Sequence, residues 1–154
     1  MDELRIEITP DSLRNVLGKS SSFDRAQKNA IRKRLREAAE ESRRAVQAEA
    51  RKAGETRGAH PRSRGLRAGI ASGTRVAVLA GSRRAGVQIV TRAPLARAWA
   101  ARKGWRHPVM GDTETWVRQV GHPGYFADTI YARRNRTKRS IEQAMQDALR
   151  QMGS

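Results

Sequence analysis

Three histidines, one serine and one aspartate are the residues best suited to acid–base, nucleophilic or metal chemistry. His60, His107 and His122 each precede a proline and lie in separate loops, and no pair has metal-ligand spacing. A catalytic triad could be drawn from Ser72, His107 and Asp112, but no motif fixes its geometry. Nucleophile-elbow, phosphate-loop and dinucleotide-binding patterns do not occur in the sequence. We therefore expect no catalytic residues, no metal site, no cofactor and no enzyme activity.

Positive charge is the strongest signal in the composition. The 154 residues include 32 Lys and Arg against 15 Asp and Glu, a formal net charge of +17. From Glu55 to Asp112 no acidic residue intervenes, while 12 Lys or Arg do. Most of the bases are Arg, whose planar guanidinium binds phosphate through two hydrogen bonds. The excess Lys and Arg side chains repel one another unless an anion lies nearby, so nucleic acid is the expected partner. An Arg-rich composition from a GC-rich genome, with acidic partner subunits, is the alternative.

Several protein classes are excluded by composition. The absence of Cys rules out a disulfide scaffold, a zinc ribbon and thiol catalysis. No stretch approaches the roughly 20 apolar residues of a membrane span. The acidic start over 1–4 does not resemble a secretory signal. We expect an intracellular or particle-bound protein.

Apolar periodicity predicts one strand and then helices in the first third of the chain. Residues 4–8 alternate between apolar and charged side chains, as a half-buried strand does. A short helix is expected over 12–17. Ser21 and Asp24 have capping-box spacing before a longer helix. Apolar residues at helical spacing, with Arg and Glu between them, predict that helix over 23–53.

A loop and a hairpin are predicted next. Residues 54–73 are rich in Gly, Ser and Arg, which favours a long, mobile, basic loop. Leu66 and Ile70, four residues apart, suggest one short helical turn within it. Two β-branched runs around a Gly/Ser turn predict a β-hairpin over 74–91.

The last third predicts a strand and a helix. Residues 105–111 have no regular period, whereas 113–120 alternate like a strand. From Tyr125 onward the apolar spacing is helical, either as one bent helix or as two helices separated near Asn135. The three Trp residues are expected to pack in a core or an interface rather than to stack on bases.

These elements predict an α+β fold, with a small antiparallel sheet of about four strands packed against two long helices and a long basic loop. We expect a single domain over 1–154. Its predicted parts are 1–22 (strand and short helix), 23–53 (long helix), 54–73 (mobile basic loop), 74–120 (sheet region) and 121–154 (C-terminal helix).

Basic clusters are the candidate binding residues. The run from Arg32 to Arg36 lies on a predicted helix and is interpreted as a solvated face. Candidates to face DNA lie at the hairpin tip and in the C-terminal basic run. They are Arg83, Arg84, Arg133, Arg134, Arg136, Lys138 and Arg139.

From residue 23 onward, the order of features resembles the tail-completion (minor tail, head–tail joining) proteins of long-tailed bacteriophages. The family's loop pattern "P…(T/S)G-x-L-R-x-(S/G)-I" corresponds to Pro61-Arg62-Ser63-Arg64-Gly65-Leu66-Arg67-Ala68-Gly69-Ile70. Its aromatic-Pro turn corresponds to Gly121-His122-Pro123-Gly124-Tyr125-Phe126. The stretches 107–111 and 116–117 look like the version found in phages of actinobacteria. Lys103-Gly104-Trp105 stands where many members have an acidic E-F/Y-G-T.

The resemblance implies a structural role in the phage neck. Such proteins form a ring, expected here to be a hexamer, between the head connector and the tail tube, and double-stranded DNA passes through it without sequence reading. The expected partners are copies of the same chain and the neighbouring head-completion (stopper), tail-terminator and tail-tube proteins. The location is the head–tail junction of the virion, after assembly in the host cytoplasm. Assembly-loop candidates are Arg62, Arg64, Leu66, Arg67 and Ile70, and the turn candidates are Pro123, Tyr125 and Phe126.

Three alternatives remain open from the sequence. The chain could be the tail terminator of the same neck, since the departure at 103–105 leaves the subgroup open. It could be a stand-alone, non-specific DNA-binding protein, for which the hairpin over 74–91 is the only candidate reading element. Charge alone also permits a small ribosome-associated protein.

Overall fold

A computed structural model describes residues 3–18, 22–52, 63–80, 84–109 and 111–153. Within these ranges six helices and antiparallel strands in two sheets confirm the α+β class. The helices are α1 (Asp11–Gly18), α2 (Arg25–Ala38), α3 (Glu40–Arg51), α4 (Ser63–Ser72), α5 (Ala96–Ala100) and α6 (Ala127–Met152). The strands are β1 (Glu3–Ile8), β2 (Thr74–Ala80), β3 (Ala85–Arg92), β4 (Trp105–Val109) and β5 (Asp112–Gln119).

A three-stranded antiparallel sheet, in the order β1–β3–β2, forms one side of the core. Ile89 of the central strand pairs with Ile6 of β1 and Val76 of β2, so one face is apolar across all three strands. Helices α2 and α3 pack against β2, and α6 packs against β1. The strand predicted over 4–8 and the hairpin predicted over 74–91 are confirmed.

The long helix predicted over 23–53 is two helices that meet at Ala39. Ala39 is fully buried, with φ −96° and ψ −3°, and α3 begins at the next residue. The break lets both halves bury their apolar stripes, since Ile31 before it and Val46 after it are both inaccessible to solvent. No Pro or Gly marks the position, so the sequence does not reveal it. At the helix start, Asp24 is the N-cap and forms a capping box with Gln27. The predicted capping residue Ser21 lies outside the described part of the chain.

Helix α6 is one helix of 26 residues that continues through Asn135. It runs antiparallel to α2 and α3, because Glu41 pairs with Arg136 (3.2 Å) and Arg34 donates to Gln151 (2.5 Å). Next to the first of these contacts, the hydroxyls of Ser42 and Thr137 are buried and hydrogen-bonded at 2.6 Å. Burying a hydroxyl costs little free energy when it is hydrogen-bonded, and this hydrogen bond fixes the register of the two helices.

The prediction of a loop over 54–73 is wrong for its second half, which is helix α4. Ile70 and Ala71 are fully buried, and α4 packs mainly against α3. Gly and Ser obscured the helical signal because they have low helix propensity. Tertiary burial of the Ile70 side of the helix overrides that propensity. Residues 53–62 lie outside the described part of the chain.

Strands β4 and β5 form a second, separate antiparallel sheet, which we call the arm (residues 105–119). The prediction that 105–111 is irregular is therefore wrong, since 105–109 is a strand. In the described chain, β4 and β5 make substantial contacts only with each other. The base of the arm is attached through Trp105, whose ring lies 6.3 Å from that of buried Trp99. The arm therefore projects from the body of the protein.

Candidate nucleic-acid interface

The basic run from Arg133 to Arg139 does not form one patch, because helix α6 distributes it around its axis. Arg136 faces α3 and is paired with Glu41. One turn earlier, half-buried Arg133 reaches the Thr129 carbonyl oxygen (3.5 Å). Arg139 lies one turn further along this row and is exposed. These three residues share a flank that turns towards α3, and two of them already have partners.

Arg134 and Lys138 lie on the other flank of α6, four residues apart. Tyr131, three residues before Arg134, is 58% exposed and belongs to the same flank. Neither cation forms an ion pair with any residue that the structure describes. We call Tyr131, Arg134 and Lys138 the α6 patch. Its unpaired charge on a rigid helix is suited to bind an anion.

Helix α2 carries a second set of unpaired cations. Arg32, Lys33 and Arg36 are exposed and have no carboxylate partner among the described residues. Arg34 instead points to α6, where it donates to Gln151. The helical rotation thus places Arg32 and Arg36 away from α6, so they form a surface separate from the α6 patch. The interpretation of this run as a solvated face fits their exposure.

Arg84, a predicted DNA-facing residue, is held by an ion pair on the outer face of the three-stranded sheet. Its guanidinium donates to a Glu7 carboxylate oxygen at 3.0 Å, and Gln88 donates to the same oxygen at 3.0 Å. On the same face, Glu3 accepts from Arg92 at 2.5 Å. Charge on this face is therefore partly neutralised. Arg83 lies outside the described residues.

Acid is expected to destabilise this outer face. Burial raises the pKa of Glu7, but hydrogen bonds from Gln88, Thr9 and Arg84 outweigh it and bring the pKa below its usual value of 4.5. A carboxyl with a lowered folded-state pKa contributes stability above its unfolded pKa, and this is lost as pH falls through the folded value. Thermal unfolding between pH 6 and about pH 3 should therefore show a smaller acid-induced decrease in Glu7→Gln than in wild type. Equal acid sensitivity in Glu7→Gln and in a Glu114→Gln control would contradict this assignment.

The assembly-loop candidates have different environments in helix α4. Ile70 belongs to the core, and Leu66 is half-buried beside it. Arg67 donates to the Arg51 carbonyl oxygen (3.0 Å) at the end of α3, a contact that stabilises a helix C-terminus. Arg62 lies outside the described residues, as does the side chain of Arg64. The structure thus places Ile70 and Arg67 in intramolecular packing.

The turn before α6 is also part of the packing. Tyr125 and Phe126 are almost fully buried and meet edge to face, with ring centroids 6.2 Å apart. Burial raises the pKa of Tyr125 to about 12. Pro123 is half-buried in the same turn. These residues hold the start of α6 against the sheet.

The residues considered for catalysis do not assemble. Ser72 donates to the Gly69 carbonyl oxygen (3.0 Å), and His107 lies 3.0 Å from the Gln119 side-chain oxygen. Asp112 accepts from the Glu114 amide at 2.9 Å instead of contacting a histidine. His122 pairs with Glu49, and His60 lies outside the described ranges. Among the residues described, no group of three His, Cys, Asp or Glu could hold a metal ion.

Sequence reasoning missed the arm as a unit and, with it, a pair of facing cations. Arg106 pairs directly with Arg118, and Pro108 pairs with Trp116. Like charges in direct opposition destabilise a strand pair. Arg118 is oriented by donating to the Lys103 carbonyl oxygen (2.8 Å). The alternation over 113–120 indicated β5. Its partner strand β4 was not predicted, because His107-Pro108 and Gly111 interrupt the alternating pattern.

None of the helices described is long and apolar enough to cross a membrane. Comparison of the chain with protein-family models, with curated proteins and with solved structures finds no match.

Proposed function

We propose that this protein is a structural virion protein of the phage neck, a tail-completion subunit that forms a ring around passing DNA. The motifs over 61–70 and 121–126, which resemble that family, support the assignment. The observation that carries it is the unpaired positive charge of the α6 patch in a chain of net charge +17. Cations without protein partners are what a surface facing DNA phosphates requires.

The arrangement suits backbone contact better than base reading. A reading helix must enter the major groove, and to do so it must project from the domain. Helix α6 is instead packed against α2, α3 and β1. The flank with Arg134 and Lys138 remains available, as does exposed Arg139 on the other flank. Phosphate contacts from such a flank carry no sequence information and tolerate a sliding duplex.

Neutralising the α6 patch is expected to weaken duplex binding equally on all sequences. Each phosphate contact contributes about one to the slope of log affinity against log salt. The double variant Arg134→Gln/Lys138→Gln should therefore reduce the magnitude of that slope by about two. Fluorescence anisotropy with two unrelated duplexes between 50 and 200 mM salt, the range over which such contacts are readily resolved, measures it.

The matched control is Arg44→Gln/Arg150→Gln, which removes the same charge. Both residues are exposed, and each already pairs with a carboxylate on its own helix. The control should keep the wild-type slope to within a few tenths, because only net charge changes. Equal slopes for the two double variants would show that the α6 patch does not contact DNA.

Immunogold electron microscopy of purified phage particles tests the location. Label at the head–tail junction supports the neck assignment and fits both the completion protein and the tail-terminator alternative. If mass spectrometry finds no copy of the chain in particles, the virion proposal is wrong. The salt-dependent binding measurement would then identify a stand-alone, non-specific DNA-binding protein.

A further inference from the structure

The arm exposes apolar side chains on both of its faces. Trp116 is 47% exposed and Val117 is 40% exposed, and adjacent strand residues point to opposite sides. A two-stranded hairpin alone is marginally stable in water. Arg106 and Arg118, which face each other, reduce the stability further. Burial of the apolar side chains against a partner would compensate for both effects.

The tip of the arm is acidic, unlike the surrounding chain. Asp112 and Glu114 are the only acids between Glu55 and Asp128. Both are exposed, and neither forms an ion pair with a described residue. Trp116 lies beside this tip and donates to the Thr113 carbonyl oxygen (2.8 Å). The partner of the arm should therefore offer an apolar groove and positive charge.

The body of the protein offers such a groove. It has a volume of about 350 Å³ and lies between α4 and the segment that follows β3. Leu66 and Ile70 line one wall, and Pro94 lines the other. Arg92 also lines the groove but is paired with Glu3. Every lining residue belongs to the stretch 56–111, which holds 12 Lys or Arg and no acid. A Cβ added at Gly69 would have nothing within 4 Å, so the groove is open above this helix. An indole ring can lie on such a bare, apolar helix face.

We propose that the arm of one copy of this chain docks on a second copy, with Trp116 in the groove beside α4 and the acidic tip against the strongly basic surface of that copy. The arm makes no substantial contact with α4 of its own chain, so the contact joins two copies. Arm and groove are different surfaces, which makes the interface heterologous. Heterologous contacts generate rings when the rotation closes. The inference deepens the proposed ring function and rests on it.

Self-association of the full chain tests the docking. Trp116→Ala removes the anchor, and Gly69→Phe fills the groove. A buried interface anchor of this kind is worth at least about 30-fold in affinity. Sedimentation velocity over a concentration series should show each variant dissociating at concentrations about 30-fold higher than wild type. Arg44→Gln, at an exposed position on α3 outside the arm, the groove and the α6 patch, should associate like wild type.

Mixing the two variants separates this interface from other kinds of contact. Trp116→Ala keeps a working groove, and Gly69→Phe keeps a working arm. At concentrations where each variant alone is monomeric, an equimolar mixture should therefore form dimers that cannot extend. Circular dichroism should show both folded, since Trp116 is exposed and Gly69 has open space.

Two results would overturn the docking. One is a wild-type chain that stays monomeric at every concentration, and the other is unchanged association of Trp116→Ala. Duplex binding by Arg134 and Lys138 and the labelling of particles are measured independently of both results, and they test the proposed function separately. Conversely, a chain that is absent from particles but self-associates through the arm would contradict the proposed function and support the docking.

Discussion

An aspartate in place of Ile70 is expected to prevent the chain from folding. Ile70 is fully buried where α4 packs against α3 and the sheet. The new carboxylate would lie among the buried apolar side chains of the core. Such a burial costs more than about 4 kcal/mol, a large part of the 5–15 kcal/mol that stabilises a typical domain. Urea unfolding followed by far-ultraviolet circular dichroism should show little or no folded baseline.

The neighbouring position provides the control. Gly69→Asp places the same charge one residue earlier, where a side chain meets nothing within 4 Å. It should change the free energy of unfolding by no more than about 1 kcal/mol, since Gly and Asp differ little in helix propensity. Ile70→Val, which keeps the site apolar, should cost about 0.5–1.5 kcal/mol. A stable Ile70→Asp chain would show that α4 is not packed as described.

Gly104→Ala is expected to detach the arm while leaving the core folded. Gly104 has φ +68°, a conformation that L-residues rarely adopt, and an added Cβ would overlap the Gln119 carbonyl oxygen. The clash falls where β4 begins and β5 ends, so the strand pairing should open from its base. Amide hydrogen exchange should show protection lost over 105–119 and retained in β3.

Gly111→Ala separates conformational strain from the steric clash. Gly111 also has a positive φ, +86°, but no atom lies within 4 Å of an added Cβ. Strain alone costs roughly 1–2 kcal/mol for an L-residue with left-handed backbone, so this variant should keep partial protection in the arm. Equal exchange in the two variants would mean that the close approach of Gly104 to Gln119 is not what anchors the arm. Trypsin cleavage after Arg106 and Arg118 provides an independent measure of arm opening.

Local periodicity in the sequence identified the elements whose pattern is set by near neighbours. Alternation over 4–8 and 74–91 predicted strands because side chains on a strand repeat every two residues. The spacing of apolar residues after Tyr125 predicted α6, because side chains on one face of a helix recur every three or four residues. The net charge and the lack of Cys are also properties of the sequence alone. These observations were enough for the α+β class and for an expected anionic partner.

Tertiary structure decided which of the predicted residues are available to a partner. The cations from Arg133 to Arg139 are contiguous in sequence, but helical rotation separates Arg134 from Arg136, and Glu41 pairs with the latter. Arg84 is bound to Glu7 from a distant strand, a contact that no local pattern indicates. Burial of the Ile70 side chain stabilises the Gly-rich stretch around it as helix α4. Each outcome depends on groups far apart in sequence, because the energies of burial and charge pairing are set by spatial neighbours.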